Sequence, residues 1–387
     1  MMNTNKTTYK DSPLGKIPGD WEVKRLGEIC TTFKSGYGIT SEEINAIGEY
    51  AVYGGNGLRG YTNKFTHEGN YFLIGRQGAL CGNIVSVIGR NYISEHAIAV
   101  QTNDKNYNSF LAYKLDFLNL NRLSESSAQP GLSVEKLIRI KITLPPLPEQ
   151  KAIAHVLGLI DSAINTNNQL VAKKELQKKW LMQVLLTREK RLKGFGSEWE
   201  EHKISQLGQI VTGNTPSMSK PEYYGDKYCW ATAFDFKGVY IDETDIKLSE
   251  EGKNVARIVP RGSILVTCIA SIGKNAIANV EMAFNQQINA IVPNENFYSE
   301  FIYYMIENSL HKLKEVAGAG AVTIINKSNF ETIKLKFPLI EEQTAIARVL
   351  QTADKEILLL KTKTERLREQ KKGLMQVLLT GKKRLAI

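Results

Sequence analysis

The chain has 387 residues, of which 42% are hydrophobic and 23% are charged. This balance is typical of a globular protein with two or three ordinary cores and argues against a disordered or membrane-embedded chain. A formal net charge of +10 makes an anionic partner plausible, and nucleic acid is the first candidate, although a basic balance can also serve solubility alone.

The four cysteines contain no Cys-x-x-Cys pair, so neither a zinc site nor a disulfide framework is predicted. Free thiols fit a reducing compartment, and we expect a cytoplasmic protein.

Short β-prone runs punctuated by glycine fill the first part of each half of the chain. We predict strands at residues 71–74, 84–88 and 97–100, and again at 263–267 and 288–292. One amphipathic helix follows in each half, at residues 109–119 and 299–310. A further strand, at 138–144 or 333–337, ends at a proline, which suits the sharp entry into a helix.

The clearest feature is a repeat. The run Leu181-Met182-Gln183-Val184-Leu185-Leu186-Thr187 recurs unchanged at residues 374–380, and Glu149-Gln150 recurs at the same spacing as Glu342-Gln343. Such a register without gaps predicts two copies of one long helix, because a loop would tolerate insertions.

The two repeated segments, at residues 149–187 and 341–380, place apolar side chains alternately three and four positions apart. This spacing predicts a coiled-coil seam, which Asn167, Lys174 and Thr364 interrupt. At 1.5 Å per residue, forty residues make a rod about 60 Å long. A chain ordered as domain, helix, domain, helix fits an antiparallel helix pair with a globular domain at each end.

The sequence therefore predicts an α+β protein: two globular mixed α/β domains separated by a pair of long antiparallel coiled-coil helices, with a pseudo-two-fold internal repeat. We expect domains at residues 1–148 and 193–340, a central helix at 149–192 and a distal helix at 341–387.

No catalytic motif is convincing. Ser271-Ile272-Gly273-Lys274 is similar to the end of a phosphate-binding loop, but Cys268 stands where the leading glycine belongs. Asp11 with Glu22-x-Lys24 has the loose outline of a nuclease metal site, and such outlines occur by chance. The five histidines have no ligand spacing, so no metal site is predicted. These observations favour a recognition protein over an enzyme.

Two similar globular segments, each followed by a copy of one helix, resemble the specificity (S) subunit of Type I restriction–modification systems, the HsdS family. The most specific pieces are residues 144–150 with the following Ala-Ile-Ala, their counterpart at 337–343, and the repeated Leu-Met-Gln-Val-Leu-Leu-Thr. Residues 52–57 with Gly60-Tyr61, and residues 213–217 with 284–288, look like two versions of the target recognition domain of that family.

The resemblance implies that each target recognition domain reads one half of a split DNA sequence and that the paired helices hold the halves apart. It also implies that the helices bind two methyltransferase subunits and that motor-nuclease subunits join this core. S-adenosylmethionine, ATP and Mg would serve the partner chains, and this chain would carry no cofactor and no catalytic residue. A stand-alone bipartite DNA-binding or scaffold protein without a methyltransferase remains the alternative.

Side chains that can contact phosphates or base edges, beside glycines or strand ends, are the candidate DNA-binding residues. They are Asn56, Arg59, Lys64, Arg76, Gln77, His96, Lys220, Thr232, Lys274, Asn285, Gln286 and Gln287. Some of them could instead satisfy the backbone of turns.

The outer face of the helices is more apolar than a two-helix coil requires, which predicts a second packing surface for the partner subunits. The residues of this face are Val156, Leu170, Val184, Val349, Leu358 and Val377.

Overall fold

A computed structural model describes residues 8–78, 80–124, 131–317 and 323–385. Contacts divide the chain into two compact units. Unit 1 comprises Met1–Asn168 and Thr362–Ile387, and unit 2 comprises Gln169–Lys361. Each unit therefore contains one globular domain together with a segment of each long helix.

The globular domain of unit 1 is built mainly from strands. They are β1 (Tyr9–Lys10), β2 (Ile17–Pro18), β3 (Glu22–Arg25), β4 (Cys30–Ser35), β5 (Tyr50–Gly54), β6 (Gly57–Thr62), β7 (His67–Gly75), β8 (Ile84–Ile93), β9 (Ala97–Thr102) and β10 (Lys141–Leu144). The helices are α1 (Leu26–Ile29), α2 (Asn108–Leu118) and α3 (Val134–Leu137), with 3₁₀ turns at Ser41–Glu43 and Leu120–Leu123.

A six-stranded sheet in the order β4-β9-β7-β8-β5-β6 dominates this domain, and β3 pairs with β10. All neighbours in the large sheet are antiparallel except β5 and β8, which are parallel. The central strand β9 begins with four fully buried residues, Ala97 to Val100. A strand buried on both faces reads as a continuous apolar run, which is why the sequence signalled it clearly.

The globular domain of unit 2 has a different strand arrangement. Its strands are β11 (Glu200–Lys203), β12 (Gly208–Thr212), β13 (Tyr224–Gly225), β14 (Tyr228–Ala231), β15 (Tyr240–Ile241), β16 (Lys247–Leu248), β17 (Ile258–Val259), β18 (Ile264–Thr267), β19 (Asn275–Ala278), β20 (Met282–Phe284), β21 (Ile288–Pro293) and β22 (Lys334–Phe337). Its helices are α5 (Ile204–Leu207), α6 (Glu250–Val255), α7 (Ser299–Asn308), α8 (Leu310–Ala317) and α9 (Lys327–Thr332), with 3₁₀ turns at Pro221–Tyr223 and Ala233–Asp235.

Two five-stranded sheets form in unit 2, in the orders β12-β21-β18-β19-β15 and β13-β16-β14-β20-β17, and β11 pairs with β22. The β11–β22 pair is the counterpart of β3–β10 in unit 1. In both units this small antiparallel pair ends where a long helix begins.

The long helices are α4 (Leu147–Leu186) and α10 (Ile340–Leu378). They confirm the two predicted copies and pack together. Helix α4 begins within the proline-rich segment, because Pro148 falls in the first turn, where a missing N–H costs no helical hydrogen bond. In unit 1, Asn167 Nδ2 donates to Thr364 Oγ1 at 2.7 Å within the seam. These two predicted polar interruptions therefore satisfy each other, which fixes the register.

Each end of the helix pair lies in a globular core. In unit 1 the start of α4 and the end of α10 share one cluster, which includes Trp21, Phe72, Phe110, Ile153, Leu157, Met375, Leu378 and Leu379. In unit 2 the end of α4 and the start of α10 share the equivalent cluster, which includes Phe301, Tyr304, Met182, Leu185, Leu186, Ile346 and Leu350. The two helix segments therefore run antiparallel within each unit. The heptapeptide at residues 181–187 packs in the core of unit 2, and its copy at residues 374–380 packs in the core of unit 1.

The predicted elements are found in the structure with one correction. The strand expected at residues 138–144 begins only at Lys141, since Val134–Leu137 is helical and Ile138 N donates to Val134 O at 3.0 Å. Ile138 therefore lies at the end of this helix, and Ile140 lies just after the turn that follows it. Among the described residues, no helix combines the length and the apolarity that crossing a membrane requires.

Candidate nucleic-acid interfaces and helix junctions

In unit 1, glycines let three segments approach one another closely. A Cβ added to Gly55, in the turn between β5 and β6, would lie 2.7 Å from the carbonyl oxygen of His96 and 3.4 Å from the backbone nitrogen of Arg76. Arg76 N in turn donates to His96 O at 2.9 Å. Only glycine permits this approach. It places the turn that carries Asn56 against the backbone of Arg76 and His96.

Two further predicted residues join this group. The Oε1 atom of Gln77 lies 3.1 Å from His96 Nδ1. The exposed Arg59 side chain crosses Gly54, where an added Cβ would lie 2.7 Å from Arg59 Cδ. We call Asn56, Arg59, Arg76, Gln77 and His96 the first reading cluster. It combines amide, guanidinium and imidazole groups, which are the groups that contact base edges and phosphates.

Lys64, another predicted DNA-binding residue of unit 1, makes its contact outside the first reading cluster. Its Nζ lies 2.7 Å from Glu43 Oε1, and both side chains are exposed. The hydrogen bond from Lys64 lowers the pKa of the Glu43 carboxyl. The positive charge of Lys64 is therefore neutralised locally.

In unit 2, the two segments singled out in the sequence lie against each other. A Cβ on Gly213 would collide with the carbonyl oxygens of Phe284 and Asn285. Asn214 N donates to Phe284 O at 3.0 Å, and the Thr215 hydroxyl donates to Gln286 Oε1. The glycine is required here because the two backbones touch.

Thr232 and Lys274 lie at the same edge. Asn285 N donates to Ala231 O at 3.0 Å, and Lys274 Nζ donates to Ala233 O at 2.7 Å. The second reading cluster is therefore Thr232, Lys274, Asn285, Gln286 and Gln287. Lys220 lies in a separate loop, where its Nζ donates to Tyr223 Oη at 3.2 Å.

Some of these side chains satisfy turns, as the sequence had left open. Thr232 caps the 3₁₀ turn Ala233–Asp235 and donates through Oγ1 to Asp235 Oδ2 at 2.8 Å. Asn285 Oδ1 accepts from Gln287 N at 3.1 Å. Gln286 and Lys274 remain exposed at the surface.

Sequence reasoning missed Phe234, which stands at the tip of the turn that Thr232 caps. Its side chain is 85% exposed. A single phenylalanine in an irregular segment carries no periodicity, so only the fold reveals that it points outward.

At the helix junctions, where each long helix begins against a globular domain, the repeated glutamine makes the same hydrogen bonds in both units. Gln150 Oε1 accepts from Tyr107 N at 2.8 Å, and its Nε2 donates to Pro145 O at 2.9 Å. Gln343 Oε1 accepts from Tyr298 N at 2.9 Å, and its Nε2 donates to Pro338 O at 2.8 Å. Both side chains are buried, so each satisfies backbone groups that water cannot reach.

A tyrosine, an aspartate and a lysine form a second matched set in unit 1. Tyr113 Oη donates to Asp161 Oδ2 at 2.7 Å, while Lys371 Nζ lies 2.7 Å from Asp161 Oδ1 and 5.1 Å from the tyrosine ring centre. Burial and the Asp161 hydrogen bond raise the pKa of Tyr113.

The counterpart in unit 2 has the same geometry. Tyr304 donates to Asp354 at 2.7 Å, and Lys178 lies 2.8 Å from Asp354 and 5.5 Å from the Tyr304 ring centre. These lysines therefore join the two helix segments to the globular domain within each unit.

The repeated glutamate binds an arginine beyond the end of the other helix. Glu149 accepts from Trp21 Nε1 at 3.0 Å and from Arg384 Nη2 at 2.7 Å, and Arg384 also reaches Asp20. The hydrogen bond from Arg384 lowers the pKa of Asp20. In unit 2, Glu342 accepts from Arg191 Nε at 3.0 Å.

The six residues of the predicted outer face differ in how accessible they are. Val184 is 2% exposed and lies in the core of unit 2, so it offers no surface. Val156, Val349 and Val377 are partly buried against the cores. Leu170 and Leu358 are exposed.

The loose nuclease outline does not form a metal centre. Glu22 pairs with Lys24 at 3.1 Å on an exposed strand. Within the described ranges, no group of three histidine, cysteine, aspartate or glutamate side chains could hold a metal ion.

The family model of the Type I restriction modification DNA specificity domain matches residues 18–176 and 196–369. The chain is 38% identical over 164 residues to the EcoprrI specificity subunit of Escherichia coli, a match that spans 41% of each chain. It is 26% identical over 424 residues to the putative MjaX specificity subunit of Methanocaldococcus jannaschii, a match that spans 97% of each.

The fold is similar to that of a solved S subunit from M. genitalium, with a TM-score of 0.69, 15% identity and 98% of each chain covered. A chain from a structure on complex assembly and conformational transition of the type I R-M system gives a TM-score of 0.59 at 17% identity, covering 94% of this chain and 99% of that one. The predicted fold is thereby confirmed. Specificity subunits are non-catalytic, which confirms that this chain is not itself an enzyme. The chain belongs to the family of Type I restriction–modification DNA specificity subunits.

Proposed function

We propose that this chain recognises a split DNA sequence, with the first reading cluster contacting one half-site and the second reading cluster the other. The observation that carries this proposal is that, in each unit, close backbone packing brings together the segments that carry five of the predicted polar residues. Distant segments of each chain half supply these side chains, and close backbone packing holds them. Rigid presentation of amide and cationic groups is what base readout requires.

Within this proposal the long helices set the distance between the half-sites and bind two methyltransferase subunits. Helices of 40 and 39 residues are stiff over several nanometres. The partner surface would use the accessible parts of Val156, Leu170, Val349, Leu358 and Val377. We assign DNA recognition to the domains at residues 1–148 and 193–340. We assign spacing and subunit binding to the central helix at residues 149–192 and the distal helix at residues 341–387.

Motor-nuclease subunits would join the complex through this core, in the cytoplasm. S-adenosylmethionine, ATP and Mg would act in the partner chains, where methylation and cleavage take place. A stand-alone binding protein is not favoured, because the chain belongs to a family of subunits.

Sequencing of methylated adenines tests the proposal. DNA exposed to the chain assembled with its methyltransferase subunits should carry methylation at one split motif. Methylation without a split motif, or none that depends on this chain, would contradict it.

Insertion of one heptad into both helices, after Asn167 and before Thr364, tests the role of the helices in the same assay. Both half-sites should stay unchanged while the gap between them changes. Substitution of Leu176 by Ala, at an exposed position of the same helix outside the proposed partner surface, leaves helix length unaltered and should leave the gap unaltered. A change in half-site bases at constant spacing would contradict the role.

A further inference from the structure

Phe234 is the most exposed aromatic side chain among the described residues, at 85%. Large aromatic side chains usually bury most of their surface, so a nearly free ring offers apolar area that a binding partner could cover. The neighbouring residues Asp235 and Phe236 are buried, at 7% and 5% exposure. The ring therefore stands out from a segment that is otherwise packed.

Hydrogen bonds hold the base of this ring rigidly. Asp235 Oδ2 accepts from both the backbone nitrogen and the hydroxyl of Thr232 at 2.8 Å, and Asp235 Oδ1 accepts from Asp245 N at 3.0 Å. Phe234 N donates to Thr232 Oγ1 at 3.3 Å. A turn fixed by a buried carboxylate presents its apolar tip without an ordering cost on binding.

The chemistry around the ring indicates nucleic acid. Lys274 Nζ donates to the carbonyl oxygen of Ala233, next to Phe234, at 2.7 Å, and it places a positive charge at the turn. The strand before the turn pairs with the segment that carries Asn285, Gln286 and Gln287. An apolar protein partner would favour further apolar neighbours, whereas a DNA duplex offers phosphates for the lysine and base faces for the ring.

We propose that Phe234 is a wedge that enters the DNA at a base step in or beside the half-site that unit 2 reads. The ring would partly unstack that step and bend the duplex, as apolar wedges do in minor-groove binding. Steps that unstack readily, such as pyrimidine–purine steps, would then be preferred without a hydrogen bond to either base. This inference rests on the proposed function and assigns unit 2 a readout by deformation.

The test uses the chain assembled with its methyltransferase subunits. The DNA duplexes carry, in unmethylated form, the split motif that the methylation sequencing identifies. A single 2-aminopurine, whose fluorescence increases when it unstacks, replaces each purine of the unit 2 half-site in turn. The wild-type complex should raise the fluorescence at one step other than that of the methylated adenine, which a methyltransferase itself takes out of the stack. Phe234→Ala should abolish that increase and weaken binding about ten- to hundredfold.

Two control variants sharpen the result. Phe234→Trp keeps an aromatic wedge and should restore both affinity and fluorescence. Leu339→Ala removes another apolar side chain of unit 2, 62% exposed, and should change neither. Unaltered affinity and fluorescence in Phe234→Ala would overturn the wedge while leaving DNA recognition intact.

Loss of methyltransferase co-purification in Phe234→Ala would also overturn the proposal, since it would make the ring a protein contact. Failure of the proposed function itself looks different: the wild-type complex would then yield no split methylated motif from which to design a duplex.

Discussion

The reading cluster of unit 1 lies at the strand ends of one six-stranded sheet. The reading cluster of unit 2 lies in loops next to the strands of two five-stranded sheets. The helix junctions of the same two units agree nearly atom for atom at Gln150 and Gln343, and at Asp161 and Asp354. The difference teaches that the two halves share the contacts that attach a domain to the helices and differ in the surfaces that we propose contact DNA.

The junctions nevertheless differ in two places. Trp21 Nε1 donates to Glu149, whereas Trp199 Nε1 has no hydrogen-bond partner among the described residues. Lys114, buried in unit 1, donates to Thr143 Oγ1 at 2.7 Å and to the carbonyl oxygen of Leu379 at 2.5 Å. At the matching position of unit 2 stands Met305. These differences provide direct tests.

The largest effect is expected from Glu149→Ala, which leaves the Arg384 guanidinium and the Trp21 indole without their buried acceptor. Removing one partner of a buried ion pair costs about 3 to 5 kcal/mol, and because Arg384 keeps its contact with Asp20 we expect the lower end of this range. Urea unfolding of the isolated chain, with hydrogen exchange to locate the weakened unit, measures this cost. Glu342→Ala should cost less in unit 2, because its tryptophan makes no such bond. Equal losses would show that the two junctions are equivalent after all.

A second test exploits Lys114, whose pKa burial lowers from 10.5 to about 8. The unfolded chain keeps this proton up to about pH 10.5, whereas the folded chain releases it near pH 8. The free energy of unfolding should therefore increase with pH between these values, by on the order of 3 kcal/mol relative to Lys114→Met. Below pH 8 the difference should be constant. The comparison is made by urea unfolding of both proteins at several pH values, and parallel curves throughout would contradict it.

The smallest effect should come from the glutamines, and it should be the same in both units. Gln150→Ala and Gln343→Ala each leave a buried backbone N–H and a carbonyl group unpaired, which costs about 2 kcal/mol. Thermal or urea unfolding of the two variants measures these losses. Here equality is the expected outcome, and a clear inequality would mean that the matched geometry hides different surroundings.

The sequence alone predicted the parts governed by periodicity and repetition. A seam of apolar residues three and four positions apart requires a helix, and an uninterrupted repeat requires two similar ones, so α4 and α10 were predicted nearly to their ends. Buried strands such as β9 and β21 were predicted because short runs rich in β-branched and apolar residues are typical of strands.

Only the tertiary structure decided which side chains meet. Nothing local to Val184 distinguishes a core position from an outer face, because its neighbours in space come from other elements of unit 2. Likewise the fold pairs Lys64 with Glu43 and leaves Phe234 exposed at the tip of its turn. Helix periodicity is a property of consecutive residues, whereas a reading surface depends on loops that the rest of the domain positions.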